Sequence, residues 1–232
     1  MPFRFGRSLL AALIITGVSA PALAQQHSVT LNLGYFAVRG EDARIDDDVL
    51  VENLRVFGFD LRDFNNANVG GEWLVGLGDY LEAGFGLGFY RRTVPSVYDD
   101  YIDEDGTEIA QDFKLRVIPL SATIRFLPFG RRRVEPYVGL GAGLFAWRYS
   151  EVGEFVDFTD FSIFRDRYVA TGNDVGPIVL GGIRVPVGSR YSVGGEVRYQ
   201  QARGTVGVDN GFLDERIDLG GLTTLFTFQV KF

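Results

Sequence analysis

The chain of 232 residues has no cysteine, a single histidine, one methionine and two tryptophans. Without cysteine there is no disulfide framework and no thiolate metal site, so the fold must be held by something else. With His27 as the only imidazole, no Ser-His or Asp-His constellation can be assembled away from that one position. After residue 24 no apolar run approaches the roughly 18 residues a membrane helix needs, so helical spans are not expected. Positive charge is also scarce, with 23 Lys and Arg against 30 Asp and Glu, which argues against a nucleic-acid partner.

What is present begins with a secretory signal. Arg4 and Arg7 precede the apolar stretch Leu9 to Val18, and Ala22-Leu23-Ala24 supplies small residues at a cleavage position, so residues 1–24 are expected to be removed. The apolar stretch is too short to be comfortable as a membrane anchor. Removing Arg4 and Arg7 with that segment moves the formal charge from -7 to -9. Residues 25–232 contain no Pro/Ser-rich linker and are expected to form one domain.

Period-two alternation recurs through that domain. It is clearest at the C-terminus, where Phe226, Phe228, Val230 and Phe232 share one face of a strand and Thr227, Gln229 and Lys231 the other. Eight strands are predicted: Val29–Val38, Val69–Gly78, Tyr80–Arg92, Asp112–Leu127, Glu135–Ser150, Val175–Val187, Tyr191–Arg203 and Leu219–Phe232. In the fourth the apolar residues pass from odd (Phe113, Leu115, Val117) to even (Ile118, Leu120, Ala122, Ile124, Phe126), so a β-bulge is expected beside Pro119. Long connections alternate with short turns, which predicts an all-β, eight-stranded antiparallel up-and-down transmembrane barrel with both termini at the short-turn end.

Charge placement agrees with that plan. With long loops at 39–68, 93–112, 150–174 and 204–219, about 25 of the 30 acids fall outside the strands, including Asp46-Asp47-Asp48 and Asp103-Glu104-Asp105. By parity Glu72, Glu82, Arg125, Arg184, Glu196, Arg198 and Lys231 point inward. An eight-stranded barrel is only wide enough for side chains to fill, so these seven predict a polar network plugging the lumen. A conduction path is the alternative. The reverse assignment of faces, a soluble lipocalin-like barrel, is disfavoured because strand charges occupy the minority face and aromatics (Trp73, Phe89, Trp147, Tyr191, Phe232) stand near strand ends.

The signal segment, eight alternating stretches, Gly71-Glu72-Trp73, Gly84 to Tyr90, Glu135-Pro136-Tyr137-Val138-Gly139 and terminal Phe232 resemble the small outer-membrane β-barrel family that includes OmpX-like and OmpA-barrel-like proteins. The resemblance spans the mature chain but lacks a peptidoglycan-binding domain. It implies a Gram-negative outer-membrane location, extracellular long loops, contact with lipid and lipopolysaccharide, and recognition of the terminal aromatic strand by the barrel-assembly machinery. Neither a cofactor nor a resident metal is expected, and a monomer is. Enzymes that resemble this fold (lipid A deacylases, palmitoyltransferases, omptin proteases) rely on a histidine near the outer rim, whereas His27 is expected at the periplasmic end as a solvated residue.

Other motifs are weaker. Gly84-x-Gly86-x-Gly88 and Gly139-x-Gly141-x-Gly143 recur at strand period with no helix following, so they relieve crowding rather than bind phosphate. Asp103-Glu104-Asp105-Gly106 fails as an EF-hand because the first ligand position falls on Tyr101; the acidic loops remain open to an extracellular ligand or to cations bridging lipopolysaccharide. Phe155, Phe158, Phe161 and Phe164 form an adhesive patch, pack within the third loop or sit at the membrane interface, and a short helix there would place them on one side. Replacing Phe232 with aspartate is expected to reduce outer-membrane insertion severalfold, measured as folded protein in membrane fractions. Normal insertion of that variant would show that the terminal stripe is not the assembly signal.

Overall fold

The computed structural model describes residues 26–207 and 210–232. The predicted signal, 1–24, lies outside them. Eight long strands close into an antiparallel barrel: β1 (His27–Val38), β2 (Asn66–Gly76), β3 (Leu81–Ile102), β4 (Glu108–Phe126), β5 (Glu135–Val156), β6 (Ile163–Val187), β7 (Tyr191–Gln200) and the last strand, β10 (Gly221–Lys231). Between β7 and β10 a small hairpin, β8 (Arg203–Thr205) and β9 (Arg216–Asp218), stands apart from the wall. The ring is sealed where β1 pairs with β10, with Val29 opposite Val230 and Leu33 opposite Phe226.

The wall faces two solvents. Leu31, Leu33, Trp73, Phe85, Leu87, Leu140, Val179 and Phe226 point outward and are exposed, while Thr30, Glu72, Thr123, Arg125, Glu196 and Thr227 point inward and are buried. An exposed apolar exterior around a charged interior is the arrangement for lipid, and it excludes the lipocalin-like alternative.

Pro119 marks something other than a bulge. Pairing of β3 with β4 keeps one register through this point, from Leu87 opposite Leu120 to Tyr90 opposite Val117. Inward-facing residues of β4 are odd-numbered throughout, so Phe113, Leu115 and Val117 line the interior and Ile124 and Phe126 the exterior. What changes is the polarity of the faces. Below Pro119 the outside is apolar because it meets lipid; above it the inside is apolar and the outside carries Arg116, Lys114 and Asp112.

This inversion also explains why the predicted strands were too short. β3 and β4 run on to a turn at Asp103–Thr107, and β5 and β6 to one at Asp157–Ser162, so most of the second and third predicted loops is strand. Acids and arginines on the outward face there meet water and read as loop. Trp147 is likewise inside, buried, with its Nε1 donating to Asp174 at 2.5 Å, and it belongs to no interfacial belt.

The long connection between β1 and β2 folds into the mouth of the barrel at the end away from the short β2–β3 turn. It carries a short helix, α1 (Val49–Asn53), whose N-cap Asp48 accepts from the amide of Leu50 at 3.0 Å. Val49, Leu50, Phe57, Leu61 and Phe64 from this loop pack on Tyr90, Val94, Phe113, Phe145 and Tyr149 of the wall in one buried cluster. Phe57 lies with its ring centroid 4.4 Å from Tyr98 and 5.1 Å from Phe113. Ala202, Val206, Phe212, Ile217 and Leu219 of the β7–β10 connection complete the cluster.

Candidate functional site

The strands bring the seven residues singled out by parity into the lower half of the barrel, and side chains that parity reasoning had not chosen join them. Glu72 comes from β2, Arg125 from β4, and Glu196 and Arg198 from β7. Arg125 is paired with Glu72 and, at 2.8 Å, with Glu196; Arg198 meets Glu196 at 2.7 Å and Glu72 at 3.5 Å. Thr123 donates to Glu72 at 3.2 Å. Gly84 leaves room for this group, since a Cβ there would stand 2.6 Å from both the Glu72 carboxylate and the Thr123 hydroxyl.

A second cluster lies toward the end of the barrel that carries the β2–β3 and β4–β5 turns. Arg184 holds Glu82 at 2.9 Å and Glu135 at 2.8 Å, while Lys231 reaches Glu135 at 3.7 Å. Arg131, from the β4–β5 turn, approaches Glu82 at 3.4 Å. Tyr137 links the clusters: its hydroxyl donates to Glu196 at 3.0 Å, and the guanidinium carbons of Arg125 and Arg184 lie 4.9 Å and 5.7 Å from its ring centroid. Glu135 and Tyr137 were legible by the parity of their strand, but their place at its start hid them among turn residues. Glu135 matters for balance, because it supplies the fourth inward acid beside Glu72, Glu82 and Glu196.

Between this network and the apolar mouth lies a small cavity of about 30 Å³, lined by Asn32, Asn68, Arg198, Gln200 and Thr223 among others. That is room for about one or two waters. Glu72, Glu82, Arg125 and Arg184 are each at most 3% exposed.

The upper storey, at the mouth filled by the β1–β2 connection, has its own polar anchors. Asn53, at the end of α1, donates to Glu151 at 2.7 Å and to the Tyr149 hydroxyl at 3.1 Å, and Tyr149 donates to Glu151 at 2.8 Å. Glu151 stands in the part of β5 beyond the lipid. Burial pushes its carboxyl up to about 7, against these hydrogen bonds, which favour the ionised form. Asp48 of the acidic run pairs with Arg44 at 2.6 Å and accepts from the amide of Asp218 at 3.2 Å, and Asp218 pairs with Arg39 at 2.8 Å. Burial raises the Asp48 carboxyl, with the Arg44 charge opposing. These acids join the two irregular connections to each other.

Two further expectations change, for His27 and for the third loop. His27 is stacked between Trp73 (5.7 Å) and Phe232 (6.4 Å) at the short-turn end and is half-buried rather than freely solvated. Asp105 accepts from both the amide (3.0 Å) and the hydroxyl (2.7 Å) of Thr107, so it serves the β3–β4 turn. In the third loop no helix forms. Phe155 is buried against Tyr168 and Phe164, whereas Phe158 and Phe161 are exposed at the turn and pack on Tyr101 of the neighbouring hairpin at 5.6 Å and 6.2 Å. Among the described residues no group of three or more His, Cys, Asp or Glu is placed to hold a metal.

Two measurements check this arrangement. Arg125→Met leaves Glu72 and Glu196 buried without their main partner and is expected to cost about 3–5 kcal/mol in urea unfolding from vesicles. Arg125→Met combined with Glu72→Gln should regain a substantial part, and equal losses in both variants would contradict a coupled network. For Glu151, whose folded-state value lies above its ordinary one, the stabilising contribution is whole below about pH 4.5 and is lost as pH rises through about 7. Amide exchange of α1, corrected for intrinsic rates, should therefore slow from pH 8 to pH 5, and Glu151→Gln should flatten that dependence. An unchanged slope in the variant would remove Glu151 from the anchor.

No family model matches the sequence, and no curated protein matches it in sequence. Solved structures do match. OprG, an outer membrane protein from Pseudomonas aeruginosa, has a TM-score of 0.52 at 11% identity, covering 90% of this chain and 96% of that one. Neisserial surface protein A (NspA) gives 0.48 at 12% identity over 89% and 97%. The attachment invasion locus protein Ail of Yersinia pestis gives 0.45 at 10% identity over 90% and 99%. Taken with the apolar exterior, the likeness to OprG establishes the fold: this chain is built as an eight-stranded antiparallel transmembrane β-barrel, the fold of the small outer-membrane barrels.

Proposed function

We propose that the protein is a non-conducting outer-membrane barrel with a structural or surface-interaction role, its lumen plugged by polar and charged side chains below and by the folded β1–β2 connection above. The observation that carries this reading is the two-storey filling of the interior. An ionic cluster in which Glu72, Glu82, Glu135 and Glu196 are all partnered lies beneath an apolar cluster built on Leu50, Phe57 and Phe64. Displacing either has a cost: the lower exposes buried charge and the upper exposes aromatic surface.

On this reading the long loops and the extended hairpins are extracellular, the start of β1 and the end of β10 are periplasmic, and the terminal Phe226, Phe228, Val230, Phe232 stripe is what the assembly machinery reads. Interaction surfaces would then lie on the rim. The exposed Phe158, Phe161 and Ile102, gathered with Tyr101 at the tips of two hairpins, and the acids around them are what an extracellular ligand would meet. Catalysis is not part of the proposal, because the sole histidine sits at the opposite end from this rim.

Single-channel recording of refolded protein in planar bilayers tests the proposal. An electrically silent protein is expected, with openings gained only when the β1–β2 connection is deleted and Arg125 and Arg198 are both replaced by alanine. Reproducible openings of the unaltered protein, shifted by Glu82→Gln or Arg198→Gln, would establish the narrow channel instead.

A further inference from the structure

Every inward arginine of the lower barrel is matched to a carboxylate, but the outward arginines just above the lipid are not. Arg91 of β3 stands directly opposite Arg116 of β4, and Arg116 directly opposite Arg148 of β5. Three guanidinium groups thus occupy one cross-strand row on one face. Like charges facing each other across strands destabilise a sheet. Among the described residues none of the three makes an ion pair, nor does Arg167 nearby on β6; Lys114, one row above, is held by Asp112 at 3.1 Å. Together with Ser150, which lies buried beneath them, these side chains enclose a surface hollow of about 190 Å³.

The position of the hollow limits what can fill it. The next outward row toward the membrane is Phe89, Ile118 and Ala146, and the one after is Leu87, Leu120 and Leu144, which are exposed to lipid. An anion in the hollow therefore sits at headgroup level, directly over side chains that meet acyl chains. Strands lie about 4.8 Å apart, so the row spans roughly 10 Å, wider than one phosphate can bridge. Guanidinium groups suit phosphate because their paired donors bind two oxygens at once.

We infer that the Arg91-Arg116-Arg148 row, with Lys114 and Arg167, is a binding site for the headgroup of an outer-leaflet lipid that carries more than one phosphate, the chemistry of the lipid A portion of lipopolysaccharide. The anion offsets the mutual repulsion of the arginines and fixes the height of the barrel in the leaflet. This contact is direct and needs no divalent cation, unlike a bridge through the acidic loops. It is independent of whether the lumen conducts.

The test uses full-length mature protein refolded in neutral maltoside micelles and titrated with diphosphoryl lipid A, monophosphoryl lipid A or inorganic pyrophosphate, all in chelator, with thermal unfolding and binding as readouts. Diphosphoryl lipid A is expected to bind and to raise the unfolding temperature, monophosphoryl lipid A more weakly. The variant Arg91→Gln/Arg116→Gln/Arg148→Gln should bind on the order of a hundredfold more weakly, about fivefold per arginine. Without lipid A it should unfold at the same temperature as the unaltered protein or higher, since repulsion is relieved. Arg165→Gln, on a neighbouring exposed arginine paired with Glu154, should bind as the unaltered protein does. If the triple variant does not refold, Arg116→Gln alone carries the test, with about fivefold weaker binding expected. Undiminished binding by the variants, or binding that appears only when magnesium replaces the chelator, would overturn the site. Equal affinity for monophosphoryl lipid A would overturn the multiple-phosphate assignment, and saturation by pyrophosphate at the same concentration as lipid would make this a free-anion site instead.

Discussion

Closure of the sheet is the interaction on which the rest depends. In hydrocarbon no water is available to a free amide or carbonyl, so the pairing of β1 with β10 must leave no edge in the lipid. Closing eight strands brings the wall tightly around its own interior. At Gly141 a Cβ would stand 2.1 Å from the carbonyl oxygen of Ala122 on the neighbouring strand, so glycine is required by the approach of the backbones themselves. In a ring this narrow the inward charges stand close together, and each acid finds its base across the lumen. Arg125 reaching Glu72 and Glu196 on other strands is a consequence of closure, as is Arg184 joining Glu82 to Glu135.

A second constraint follows from strand length. β3 to β6 extend well past the lipid, and a sheet that leaves hydrocarbon for water must exchange the polarity of its faces if it is to keep a core. It does so without any change of register. The exterior turns from Phe89, Ile118 and Ala146 to Arg91, Arg116 and Arg148 in one step along the strands, and the interior turns from paired charge to the aromatic cluster around Phe113 and Tyr149. The β1–β2 connection is folded because that upper interior is apolar and open at the top. Without Leu50, Phe57 and Phe64 the wall would present its aromatics to water.

Much of this was legible in the residues. Alternation located eight strands, the long connections after β1 and β7, the outward stripe of β10 and seven of the inward charged residues. It failed where its premise failed. A rule that follows one apolar face reads the parity change at Pro119 as a bulge and reads charged outward strands as loops, because above the lipid the same face carries the opposite polarity. Glu135 and Tyr137 were missed at a strand start, and Trp147 was assigned to an interface it does not touch, since an aromatic near a strand end looks alike whether it points in or out.

The order of polar and apolar residues along the chain was enough to determine a sheet of eight strands with a lipid-facing side, because period two is a property of the backbone and needs no partner to be seen. Which charges meet which, that the acidic Asp46-Asp47-Asp48 run serves through Asp48 to join two connections, and that three arginines from separate strands stand in one row were decided only by tertiary structure. Those facts depend on register between strands distant in sequence, and register is set by closure of the whole ring.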